Sequence, residues 1–126
     1  MEERLFSKKH IWVLRDGDHV SIGLTDFIQK KLGPIMFLNL PQEGDKLSAG
    51  SSFGEVESKK TVLELESPVS GVVIETNEDL EDEPDAINEN PNDSWLIKVK
   101  IDSLQDDLLN QEGYNKHISQ PWMQDH

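Results

Sequence analysis

A chain of 126 residues with 35% hydrophobic side chains is long enough for one domain with its own core and too short for two ordinary ones. It has no Cys and a formal charge of −13 at pH 7, which excludes disulfides, thiolate metal sites and thiol nucleophiles, and disfavours nucleic acid and anionic membranes as partners. No apolar run approaches the roughly 20 residues needed to cross a bilayer, and Met1-Glu2-Glu3-Arg4 lacks the apolar region of a signal peptide, so a single soluble, cytoplasmic domain over 1–126 is expected.

In chain order, Ile11-Trp12-Val13-Leu14 reads as a strand, Arg15-Asp16-Gly17-Asp18 as a turn and Val20-Ser21-Ile22 as the returning partner. Thr25 is placed to cap a short helix, with Asp26 in its first turn, Phe27, Ile28 and Leu32 at helical spacing, and a Gly33-Pro34 stop. Ile35 to Leu40 is an apolar strand, followed by turns at 41–45 and 48–51. Val62 to Glu66 alternates Leu63 and Leu65 against Glu64 and Glu66 as a half-buried strand does, and Ser67-Pro68-Val69-Ser70-Gly71 reads as a turn. Val72-Val73-Ile74 is the next strand, broken by Thr76-Asn77, and the acidic stretch with Pro84 and Pro91 suits short helical turns and loop. Trp95 to Ile101 alternates most clearly of all. Ser103 is expected to cap a short helix through Leu108 and Leu109, with a weaker helix around Tyr114 and a flexible tail over 119–126. Many short strands at close spacing predict a mainly β fold, a small sandwich or barrel with short peripheral helices.

Charge is unevenly placed. Residues 1 to 60 hold nine basic and nine acidic side chains, whereas residues 61 to 126 hold three and sixteen, and nine acids without a Lys or Arg lie between Glu75 and Asp93. Such a stretch is either a solvated acidic face or a docking surface for basic patches on larger partners.

Lys60 stands out by its position. It falls between two runs that read as strands, at a hairpin tip with no Asn or Gly, so that an amine on a flexible four-carbon stem is displayed on a rigid support. That arrangement suits covalent attachment. Around it, Glu57-Ser58-Lys59-Lys60 with Ser67-Pro68-Val69-Ser70-Gly71 starting seven residues after Lys60 resembles the H protein family of the glycine cleavage system, whose signature is Glu-Ser-x-Lys followed at that spacing by Ser-Pro-x-Ser-Gly. The likeness extends through His10-Ile11-Trp12-Val13, Ile22-Gly23-Leu24-Thr25-Asp26, Leu32-Gly33, 40–45, Asn77-Glu78-Asp79-Leu80, Pro84, Asn88, Pro91 and Trp95-Leu96-Ile97-Lys98, covering roughly residues 8 to 118.

The resemblance implies a lipoyl-domain-like barrel-sandwich hybrid and a covalently bound lipoate, with Lys60 rather than Lys59 as the attachment residue. It implies that Glu57 and Gly71 are read by the lipoylating enzyme, a lipoate ligase or octanoyltransferase. The implied function is that of a non-catalytic carrier. It would shuttle an aminomethyl group from glycine decarboxylase (P protein) to aminomethyltransferase (T protein), then present the dithiol to dihydrolipoyl dehydrogenase (L protein). A biotin carrier shows its lysine on a similar hairpin but between two Met, whereas Lys60 lies between Lys59 and Thr61. Two positions that help line the family's arm-sheltering cleft depart from its pattern: Ile11 stands for Glu, and Lys31 for the common His. A second reading is therefore an H-like lipoyl carrier serving lipoate relay or another thiol-dependent pathway.

Other signals point to structure. His10, His19, His117 and His126 lack metal-ligand spacing. His10 reads as structural, and Trp12, Phe27, Phe37 and Trp95 are expected in the core. Asn92-Asp93-Ser94 matches a glycosylation sequon by coincidence, and no nucleophile–base pair or phosphate loop appears.

Overall fold

The computed structural model describes residues 4–119. Among the described residues nine strands make two antiparallel sheets. The larger has the order β1 (Arg4–Phe6), β2 (Ile11–Asp16), β3 (His19–Leu24), β9 (Trp95–Leu104), β8 (Val69–Thr76), β5 (Lys46–Leu47); the smaller has β4 (Ile35–Asn39), β6 (Ser52–Ser58) and β7 (Val62–Glu66). Four helices lie outside them: α1 (Asp26–Leu32), α2 (Glu78–Asp82), α3 (Ala86–Glu89) and α4 (Gln111–Ile118).

Alternation along the strands builds the core. Val20, Ile22, Val69, Val73, Ile97 and Val99 from the larger sheet meet Val56 and Leu65 from the smaller in one continuous apolar cluster, sealed below by Leu80 and Ile87 of the acidic segment. Thr25 caps α1 as expected, its hydroxyl accepting from the Ile28 N–H, and Gly33 at φ 73° ends the helix.

Four expectations are corrected. The segment Ser67-Pro68-Val69-Ser70-Gly71 is a corner only at Ser67 and Pro68, since β8 begins at Val69 and continues past Gly71, with a register shift between Ser70 and Gly71. No helix starts at Ser103: β9 continues to Leu104, pairing Ser103 with Ser70, and the chain then crosses to β1, where Phe6 and Leu109 exchange two backbone hydrogen bonds of 2.7 Å. Ladder partners on β8 outweigh a local cap there. Phe37 is not core but 60% exposed, because a register shift between Ile35 and Phe37 turns it to the outer face. The helix around Tyr114, expected to be weak, is eight residues long and capped by Asn110. Two short strands, β1 and β5, carry too few residues for a periodic signal. The tail expected at 119–126 lies, beyond Ser119, outside the described residues.

Trp12 is buried, with Phe27 and Trp95 half-buried against it, Phe6 and Tyr114. The Tyr114 hydroxyl pins α4 to the body, hydrogen-bonded to Thr25 Oγ1 at 2.8 Å and His10 Nδ1 at 2.9 Å. His10 stands at φ 71°, the one non-glycine residue with positive φ among the described residues. Its pKa is lowered to about 4, chiefly by burial and further by His117 and Lys9, and burial pushes that of Tyr114 up to about 12. The neutral imidazole is therefore the folded form. Because the folded pKa of His10 lies below its unfolded value, its contribution is complete above pH 6.5 and is lost as pH falls towards 4. His10→Asn, which tolerates positive φ, is expected to show a smaller loss of stability between pH 7 and pH 4.5 than the wild type, measured by urea unfolding at each pH.

Candidate functional site

Glu57 and Val62 are the last paired residues of the β6–β7 ladder, leaving Ser58-Lys59-Lys60-Thr61 as the tip. The turn closes with the Ser58 N–H donating to the Thr61 carbonyl at 2.9 Å. What replaces Gly or Asn is the Ser58 hydroxyl, which accepts from the Lys60 N–H at 3.2 Å and the Thr61 N–H at 3.4 Å. Ser58 is 5% exposed, so its oxygen is a fixed acceptor, and neither lysine needs a left-handed backbone. Sequence reading singled out the lysine and missed this residue. The signal was present in a four-residue tip with no turn glycine and a serine at its first position.

Ser58→Ala removes that acceptor and leaves two backbone donors to water. We expect a loss of about 1 kcal/mol of local stability, seen as roughly fivefold faster amide hydrogen exchange at Lys60 and Thr61 with little change elsewhere.

Lys60 is exposed at this tip, and its stem runs past the end of α1: a Cβ placed on Gly33 would stand 4.0 Å from Lys60 Cε. The amine thus has solvent around it, a fixed backbone beneath it and a side-chain-free neighbour, which fits a carboxylic acid joined to Nζ as an amide. Glu57 is exposed, in register between Phe37 and Val62. Gly71 is elsewhere. It is buried in the larger sheet, in register with Leu47 and Ile101.

The two positions where the sequence departs from the family pattern differ in setting. Ile11 is 1% exposed and part of the core, so its side chain faces no open cleft. Lys31 is exposed on α1, its Nζ 5.4 Å from the Phe27 ring centroid. Among the described residues no group of His, Asp or Glu is arranged to hold a metal, and no helix is long and apolar enough to cross a membrane.

Comparison with known proteins points to one family. The family model for the glycine cleavage H-protein matches residues 4–121. The glycine cleavage system H protein of Staphylococcus carnosus is 48% identical over 122 residues, covering 94% of this chain and 97% of that protein. The Geobacillus kaustophilus protein of the same name is 45% identical over 122 residues, with 94% and 96% covered. A crystal structure of the glycine cleavage system H protein from Mycobacterium marinum superposes with a TM-score of 0.88 at 34% identity, covering 94% of this chain and 98% of that one. The mainly β barrel-sandwich architecture expected from the sequence is the one found. Matched along nearly its whole length, this chain belongs to the glycine cleavage H-protein family, a family of lipoyl carriers.

Proposed function

We propose that this chain is the lipoyl carrier of a glycine cleavage system, a single cytoplasmic domain with lipoate joined to Lys60. The observation that supports it is an exposed lysine at the apex of a rigid hairpin, in a chain that belongs to this family. Attachment is an acyl transfer: the neutral Lys60 amine displaces the leaving group of an activated acyl donor, forming an amide and releasing the leaving group and a proton. Held on Lys60, lipoate would supply a redox-active dithiolane that can carry an aminomethyl group in its reduced, S-substituted form, the dithiol left after transfer being reoxidised by the partner dihydrolipoyl dehydrogenase.

The chain's own residues do the presenting. Ser58 fixes the turn, Lys60 gives reach, and the β6–β7 ladder holds the base of the arm against swinging with the loop. Tethering raises the effective concentration of the reactive end at each partner's active site, which is how a carrier with no turnover contributes rate. The partners under this reading are glycine decarboxylase, aminomethyltransferase and dihydrolipoyl dehydrogenase, plus the ligase or octanoyltransferase that installs the group. Glu57 serves that last enzyme by contact, and Gly71 serves it by holding the larger sheet in shape. The test is glycine–bicarbonate exchange: lipoylated protein with an active glycine decarboxylase should support it. No exchange would favour a carrier serving lipoate relay or another thiol-dependent pathway.

A further inference from the structure

Large apolar side chains left in solvent are few, and two of them share one row beside the attachment lysine. Among the described residues Met36, Phe37, Val62 and Val72 are the exposed large hydrophobics. Phe37, Glu57 and Val62 are cross-strand neighbours on β4, β6 and β7, and Asn39, Glu55 and Glu64 form a second row on the same face. The intervening row, Leu38, Val56 and Leu63, points inward to the core. Strand alternation therefore turns all six outward, and Phe37 at 60% and Val62 at 51% exposure stand on either side of Glu57.

This face has the composition of a recognition surface. An exposed aromatic and an exposed Val flank one carboxylate, with two more in the next outward row, and none of Glu55, Glu57 and Glu64 forms an ion pair among the described residues. A shallow hollow of about 80 Å³ runs along it, lined by Phe37, Leu38, Asn39, Glu55 and Glu57. Its charge argues against a second copy of the chain as occupant, since a two-fold pairing would set three carboxylates against three.

Position narrows the partner. The Glu57–Val62 pair closes the ladder immediately before the tip, so this row is the sheet surface nearest the base of Lys60. Enzymes that act on the far end of a long arm can take it up without covering its base. The enzyme that forms the amide must approach the lysine nitrogen itself, its reacting atom.

We infer that the outer face of the β4–β6–β7 sheet is the docking surface for the enzyme that acylates Lys60, with Phe37 and Val62 entering an apolar recess and Glu55, Glu57 and Glu64 meeting a surrounding rim of Lys or Arg. The inference rests on Lys60 being the attachment residue. It assigns affinity to the apolar pair and orientation to the carboxylates.

The test uses full-length apo-protein, a lipoate–protein ligase, lipoate and ATP, with modification followed by intact mass. The double variant Phe37→Thr/Val62→Thr keeps β-branched, strand-compatible side chains at exposed positions and is expected to lower kcat/KM for acylation about tenfold or more, through KM. Glu64→Lys, also exposed, should lower it several-fold, with the difference from wild type shrinking as salt is raised. Acylation of both variants at the wild-type rate would overturn the inference. So would normal acylation combined with impaired exchange, which would assign the face to glycine decarboxylase instead. Wild-type protein left unmodified at Lys60 by an active ligase would remove the attachment reading first, and this inference with it.

Discussion

Lys60→Arg should gain no mass on incubation with ligase, lipoate and ATP, and should reduce glycine–bicarbonate exchange to the background of the decarboxylase alone. Arg keeps the positive charge and a long stem, so the surface changes little. Its guanidinium stays protonated and delocalised, and has no free lone pair to attack an acyl donor at neutral pH. Lys60 is exposed and the variant should unfold within about 0.5 kcal/mol of wild type, which separates loss of the nucleophile from loss of the fold. Lys59→Arg is the matched control and should acylate fully. The two lysines are adjacent, yet only the Lys60 N–H is bound by the Ser58 hydroxyl, and it is the Lys60 stem that passes Gly33. Modification of Lys59 in the Lys60→Arg protein would mean that the enzyme reads the tip as a whole and not one position on it.

Some of this site was legible in the sequence and some was not, for physical reasons. The lysine could be read because its flanks are strands with strong period-two patterns, and because the spacing to 67–71 matched a family signature. Ser58 was a possible turn-former by residue type and place, but propensity alone does not single it out. Its role depends on a buried side-chain oxygen reaching two amides, which the sequence permits without requiring. The outward face of Phe37 was missed for a related reason. Ile35 to Leu38 is apolar throughout and carries no alternation to mark which side faces water, and the register shift after Ile35 decides it.

The same contrast holds for the larger sheet. Thr25, Gly33 and the long β9 were visible because a cap, a left-handed stop and a run of alternating residues are local signals. The false helix at Ser103 came from a residue type that favours caps, overridden by eight residues of β8 needing a partner along their length. His10 and Tyr114 lie 104 positions apart, and their hydrogen bond is invisible to any local reading.

Gly71→Ala should be the most damaging of the single-methyl additions in β8, and it tests what Gly71 does. A Cβ there would run into the backbone carbonyl oxygen of Lys100 on β9, with Val99 Cγ1 at 2.9 Å and Ile101 Cα at 3.1 Å. These atoms cannot step aside as a flexible side chain would. They belong to the ladder partner of β8, beside a register shift between Ser70 and Gly71. Relief would require opening the β8–β9 pairing. Overpacking of this kind costs about 3 kcal/mol, which should lower Tm by roughly 10 °C, read by calorimetry. If Gly71 serves acylation only through the fold, folded Gly71→Ala protein held well below its Tm should be acylated at Lys60 within about twofold of the wild-type rate, a small effect on the transition-state scale. A loss of tenfold or more in protein shown to be folded would instead mean that the acylating enzyme touches the strand at this point. Buried as it is, Gly71 offers that enzyme no side chain and little surface, and so the stability loss should dominate.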